Sequence, residues 1–108
     1  MSSQVDVSVK DGKIVCDPEL APVTAASKNL VSFRLTTPGY AFPSKGAVVL
    51  RQPSPDFPDP AVTVGPDTVT LRDLNQTKGV YAYTVKVVSA GGEELQHDPG
   101  IGNDGGGP

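Results

Sequence analysis

The sequence predicts an all-β fold: a single antiparallel β-sandwich of about seven or eight strands. Three observations predict it. First, Gly79 to Glu93 reads Gly-Val-Tyr-Ala-Tyr-Thr-Val-Lys-Val-Val-Ser-Ala-Gly-Gly-Glu. Tyr81, Tyr83, Val85 and Val87 fall on one face and Val80, Ala82, Thr84 and Lys86 on the other, because strand side chains alternate with a period of two. Second, 12 glycines and 11 prolines are interleaved with β-branched runs rather than pooled, which leaves few uninterrupted helical windows. Third, short alternating runs recur with turn signals roughly every eight to twelve residues. A chain of 108 residues is one domain by size, read here as a sandwich over residues 1–98 and a glycine-rich tail over 99–108.

Val5, Val7 and Val9 alternate with Asp6, Ser8 and Lys10, a first strand with one buried face. Asp11-Gly12 supplies a tight hairpin turn. Lys13 to Asp17 is the return strand, with Ile14 and Cys16 inward. Asp17 to Thr24 carries Pro18 and Pro22 and reads as an irregular crossing segment. Lys28 to Thr36 is the second strong strand, with Val31, Phe33 and Leu35 on one face. Thr37-Pro38-Gly39-Tyr40 matches a type II turn: proline presets the first central φ and glycine accepts the positive second one.

Tyr40 to Phe42 is a short strand, Pro43 to Gly46 a turn, and Ala47 to Arg51 a strand with Val48 and Leu50 on one side. Arg51 to Pro60 holds prolines 53, 55, 58 and 60 and is a loop. Val62 and Val64 mark a brief edge strand, and Val69 and Leu71 a further strand. Asp73 to Lys78 leads into the long one. Leu95 to His97 adds a last short strand, and Gly100 to Pro108 reads as a loose tail.

Leu71-Arg72-Asp73-Leu74-Asn75 followed by Gly79-Val80-Tyr81-Ala82-Tyr83 resembles the region around the sixth strand of immunoglobulin-like domains. There a Gly-x-Tyr forms a tyrosine corner, a role the resemblance gives to Tyr81. Thr77 stands where that pattern usually has aspartate, and Tyr83 where it has cysteine. The whole chain also resembles the prokaryotic DP-EP family. The residues concerned are Asp17-Pro18-Glu19, Thr37-Pro38-Gly39-Tyr40-Ala41-Phe42-Pro43, Tyr81-Ala82-Tyr83-Thr84-Val85 and His97-Asp98-Pro99-Gly100-Ile101-Gly102-Asn103. Leu20 departs from the proline that the family name suggests. The resemblance implies an immunoglobulin-like or cupredoxin-like Greek-key sandwich and brings no reaction with it.

The chemistry of individual residues narrows the function. Blue copper needs two imidazoles, a thiolate and usually a thioether. This chain has one histidine, and its only methionine is Met1. Cys16 therefore reads as a small buried hydrophobe. Structural zinc lacks ligands for the same reason, and no cofactor is expected. A serine triad needs a base, a carboxylate behind it and a nucleophile turn, and no Gly-x-Ser-x-Gly occurs. His97 and Asp98 are adjacent, and neighbours on an extended chain point apart. His97 reads as a polar strand end and Asp98 as a turn cap. The domain is expected not to be an enzyme.

Asp73-x-Asn75-x-Thr77 offers oxygens at every second position, and Asn103 and Asp104 add ligands for a hard cation if the tail folds back. The competing reading of the same triplet is an Asx turn. Tyr40, Phe42 and Phe57 form either an aromatic platform at one end of the sandwich or core filling, and a ligand-binding module would draw on Tyr40, Phe42, Asp73, Asn75 and the His97-Asp98 segment. Pro55-x-x-Pro58 matches a polyproline ligand only loosely, with no basic residue in the motif.

Net charge is −3 with scattered Lys and Arg, so there is no basic stripe for nucleic acid. No apolar run is long enough to span a bilayer. The opening Met1-Ser2-Ser3-Gln4-Val5-Asp6 lacks the regions of a secretion signal and Cys16 is unpaired, so a cytoplasmic location is expected. Two functions follow. The first is a non-catalytic interaction or structural domain that binds a protein partner or itself through edge strands at Val5 to Lys10 or Val62 to Val64. The alternative is a small-ligand or Ca2+-binding module at one end of the sandwich.

Overall fold

A computed structural model describes residues 3–25 and 29–106, with no α-helix among them. β1 (Ser3–Lys10) and β2 (Lys13–Asp17) form the expected hairpin. Asp11 and Gly12 both take positive φ, 53° and 75°, the conformation a two-residue type I′ turn requires. The chain continues through β3 (Leu20–Val23), β4 (Leu30–Leu35), β5 (Tyr40–Ala41), β6 (Val48–Leu50), β7 (Val62–Gly65) and β8 (Thr68–Arg72). It ends with β9 (Gly79–Ser89), β10 (Glu94–His97) and β11 (Gly100–Asn103). The all-β sandwich is as the alternation predicts, built from eleven strands rather than seven or eight. Lys28, expected to begin the second strong strand, lies outside the described residues.

Two sheets pack face to face. One has the order β2-β1-β4-β8-β7; in the other, β9 carries β10 and β11 in succession along one edge, with β3 beyond β11, and β5 and β6 along its opposite edge. Both sheets are mixed. β1 pairs parallel with β4, and β3 parallel with β11. The reason is the path: after the hairpin, the chain crosses to the second sheet as β3 and returns as β4 beside β1, a connection long enough for parallel pairing. β1 is thereby enclosed between β2 and β4, which corrects its expected place at an edge.

β9 organises its sheet. Tyr83, Val85 and Val87 are fully buried in the sandwich, while its two edges serve four strands. His97 opposes Val85 and Gly100 opposes Ala82, so β10 and β11 keep one register across Asp98-Pro99. The amide of Tyr83 donates to the Pro99 carbonyl at 3.1 Å within that break. Residues 100–103 are therefore a sheet strand lying between β9 and β3, with Ile101 fully buried, not the start of a loose tail. Residues 20–23 are likewise a strand rather than an irregular crossing. Pro22 is accommodated because its missing N–H faces away from β11.

The core joins Val5, Val7, Ile14, Cys16, Val31, Phe33, Leu35, Val69 and Leu71 of the first sheet to Ala21, Val23, Tyr83, Val85, Val87 and Ile101 of the second. Phe33 and Tyr83 meet edge-to-face at 5.3 Å between the layers, a geometry the ring quadrupoles favour. Tyr81 reaches back to the Thr77 carbonyl through a long hydrogen bond of 3.4 Å, the contact a tyrosine corner makes.

Candidate functional site

One open side of the sandwich is built from β6 and the proline-rich loop after it. Ala47 accepts from Lys86 N–H at 2.8 Å, and Arg51 N–H donates to Ala82 at 3.0 Å. Along an antiparallel strand the residues that bond a given neighbour alternate, so Ala47, Val49 and Arg51 face β9. The N–H and C=O of Val48 and Leu50 point the other way, out of the sheet edge. Among the described residues neither has a backbone hydrogen bond on that side. The edge opens into a groove of about 220 Å³ whose further walls are Pro53, Phe57, Pro58, Pro60 and Leu71. Prolines have no N–H to give, so this loop cannot close on β6 as a further strand.

The edge of β3 is different. Glu19 and Val23 carbonyls accept from Gly100 and Asp104 amides, so Leu20 and Pro22 present their backbone outward. Pro22 has no N–H there, and its carbonyl accepts from Ser3 Oγ at 2.9 Å. That edge is blunted. The outer face beside it is apolar and shallow, formed by Leu20, Pro22, Val80 and Gly102. Leu20 lies across the glycines: a Cβ at Gly100 would meet Leu20 Cδ1 at 3.2 Å.

At the end of the sandwich near the start of β9 lies a polar cluster. Asp56, Asp73, Asn75 and Asn103 are all buried. Asn75 N–H donates to Asp73 Oδ1 at 2.9 Å, closing an Asx turn. Asn103 Nδ2 donates to Asp73 Oδ1 at 2.9 Å and to Asp56 Oδ2 at 3.2 Å. Thr77 N–H also reaches Asp56 Oδ2, at 3.0 Å. Asn75 Nδ2 donates to Asp104 Oδ1 at 2.7 Å, and Gly105 N–H returns to Asn75 Oδ1 at 3.0 Å.

The structure thus brings together Asp73, Asn75, Asn103 and Asp104, the four residues singled out for a hard cation, and adds Asp56. Burial raises the Asp73 carboxyl above the usual range, and Asp56 adds to the effect, against the hydrogen bonds from Asn75 and Asn103. The Asn75 amide, with the Gly106 N–H, lowers that of Asp104. Among the described residues no group of three His, Cys, Asp or Glu side chains is placed to hold a metal, so any cation here must draw on asparagine oxygens.

His97 and Asp98 diverge. His97 Nε2 lies 2.9 Å from both Glu19 carboxylate oxygens, whereas Asp98 accepts from Thr84 Oγ1 at 2.8 Å and pairs with Arg51 at 3.0 Å. Cys16 is buried, and burial with the nearby Glu19 pushes its thiol up to about 12. A thiol held neutral in this way is a poor nucleophile.

The three aromatics do not assemble into one platform, which corrects that reading. Phe42 is core. Tyr40 opposes Ser89 at one end of β9, whereas Phe57 packs edge-to-face on Tyr81 at 5.3 Å near the other. Eight residues of strand separate those ends by about 27 Å.

Sequence reasoning missed Asp56 and the open edge of β6. The four prolines after β6 were the signal for the second, since they bar the next segment from pairing. For Asp56 no local signal existed. No family model matches this chain, and no curated protein matches it.

Proposed function

We propose that the domain is a non-catalytic interaction module that takes an extended segment of a protein partner along the edge of β6. The observation that carries this reading is the outward pair of N–H and C=O groups at Val48 and Leu50, facing an apolar groove walled by prolines. A segment adding as a strand satisfies those groups, and its alternate side chains drop onto Phe57 and Leu71. β7, with Val62 and Val64 exposed, is the other edge of this open side. A β-bulge between Thr63 and Gly65 interrupts its pairing, which makes it the poorer template. Membership of the DP-EP group belongs to this reading and adds no reaction to it. Unpaired Cys16 suits a reducing compartment such as the cytoplasm. No helix among the described residues is long and apolar enough to cross a membrane.

The test uses a displayed library of random linear peptides. Selection should enrich segments with apolar residues at alternate positions. Leu50→Pro removes an outward amide without taking a bond from the β9 ladder, and should weaken the selected peptides at least tenfold while the variant still unfolds cooperatively. No enrichment, or equal binding to Leu50→Pro, rejects strand addition at β6. A concentration-dependent dimer lost in Leu50→Pro would make the partner a second copy of the chain.

A further inference from the structure

The polar cluster has an unbalanced charge. Asp56 and Asp73 are 1% and 0% exposed, and both accept from the same Asn103 amide, at 3.2 and 2.9 Å. The ion pairs among the described residues are Arg51–Asp98, Arg72–Asp59 and His97–Glu19, so no basic side chain pairs with either buried carboxylate. Burying unpaired charge is strongly unfavourable. Of the four buried side-chain oxygens without a hydrogen-bond partner among the described residues, one is the Tyr83 hydroxyl in the core, and the other three lie at this end: Asp73 Oδ2, Asn103 Oδ1 and Asn29 Oδ1. Asn103 bonds to both carboxylates, and the Asn29 carbonyl accepts from Asp73 N–H at 3.0 Å. All three acceptors therefore belong to residues that contact Asp73 or are Asp73 itself.

We propose that this end of the sandwich binds one hard divalent cation of the calcium class, with Asp73 and Asn103 as its central ligands and Asn29 at its margin. The chemistry matches on two counts. Two carboxylates balance one divalent charge. Carboxylate and amide oxygens, without sulfur or imidazole, are the donors that hard cations take. Calcium suits such a site better than magnesium, because it accepts irregular oxygen shells and gives up water more readily. Such an ion would tie together three separate stretches of chain: the residue before β4 at Asn29, the turn at Asp73 to Thr77, and the end of β11, with the Asp56 loop joined to them through the Asn103 amide. This inference does not depend on strand addition at β6.

The experiment uses the full chain, stripped with chelator and exchanged into metal-free buffer. Thermal unfolding is followed while CaCl2, MgCl2 or NaCl is added, and bound metal is counted by mass spectrometry. One calcium per chain is expected. The midpoint should rise by about 10 °C at a hundredfold excess over the dissociation constant, and by less with magnesium. Asp73→Asn should abolish the calcium response, whereas Asp11→Asn, in the exposed hairpin turn, should keep it. Terbium luminescence on the unaltered chain, displaced by calcium, supplies a reading that no folding defect of a variant can confuse. A midpoint indifferent to millimolar calcium with no retained metal overturns the proposal. A response undiminished in Asp73→Asn overturns it as well.

Discussion

Asn103 Nδ2 donates to Asp73 Oδ1 at 2.9 Å, joining residues thirty apart in the chain. The same amide serves Asp56 Oδ2, so one side chain bonds both buried carboxylates. Asn103→Ala should lower stability by about 2–3 kcal/mol, since buried charged acceptors lose their donor. Urea unfolding in metal-free buffer measures it. A loss under about 0.5 kcal/mol would mean that the amide is not holding these carboxylates in solution.

A chain ended after Pro99 should fail to fold. It lacks β11, which separates β9 from β3 and carries fully buried Ile101. The deletion would leave β3 without its sheet partner and the Gly79 to Ala82 stretch of β9 open along that edge, with Ala21 and Val23 without support. The expected spectrum is a poorly dispersed set of amide resonances with no cooperative melt. A well-dispersed spectrum from residues 1–99 would show that β11 is dispensable.

Tyr83→Phe should be neutral or stabilising by up to about 1 kcal/mol. The Tyr83 hydroxyl is buried with no hydrogen-bond partner of good geometry, although the Cys16 thiol lies beside it. Removing an unsatisfied hydroxyl removes a desolvation penalty while the ring keeps its contact with Phe33. Chemical denaturation of the two proteins side by side decides it; clear destabilisation would reveal a real thiol–hydroxyl bond.

Cys16 should resist thiol reagents in the native state. Its thiol is held up near 12 by burial first and by Glu19 second, so little thiolate exists at pH 8. Labelling should be at least about a hundredfold slower than in denaturant. The folded thiol holds its proton to higher pH than the unfolded one, so the unfolded chain binds fewer protons above its own pKa. This contribution to stability is complete below about pH 9 and is lost as pH rises from there toward 12. Rapid native labelling at pH 8, or no steeper loss of stability above pH 9 than a Cys16→Ala control shows, would contradict the burial.

How much was legible differs from residue to residue. Val5, Val7, Val31, Phe33, Tyr83, Val85 and Val87 face inward as alternation demands, and Asp11-Gly12 turns as its composition demands. The convergence of Asp73, Asn75, Asn103 and Asp104 was foreseeable only as a condition, that the chain end folds back. It does so by pairing as β11, a segment whose Gly-Ile-Gly-Asn sequence carries no strand signal of its own. The aromatic platform failed because a shared residue class says nothing about distance: Tyr40 and Phe57 attach to opposite ends of β9.

The inward face of each strand and the positions of most turns were therefore written into the local sequence. Both arise from neighbours along the chain, through the two-residue period and the φ preferences of glycine, proline and asparagine. The tertiary structure alone decided which strands lie side by side, that β1 is enclosed and β6 open, and that Asp56 meets Asp73. Backbone hydrogen bonds are the same for nearly every residue, so pairing is selected by how the whole chain closes over its core rather than by any segment's composition.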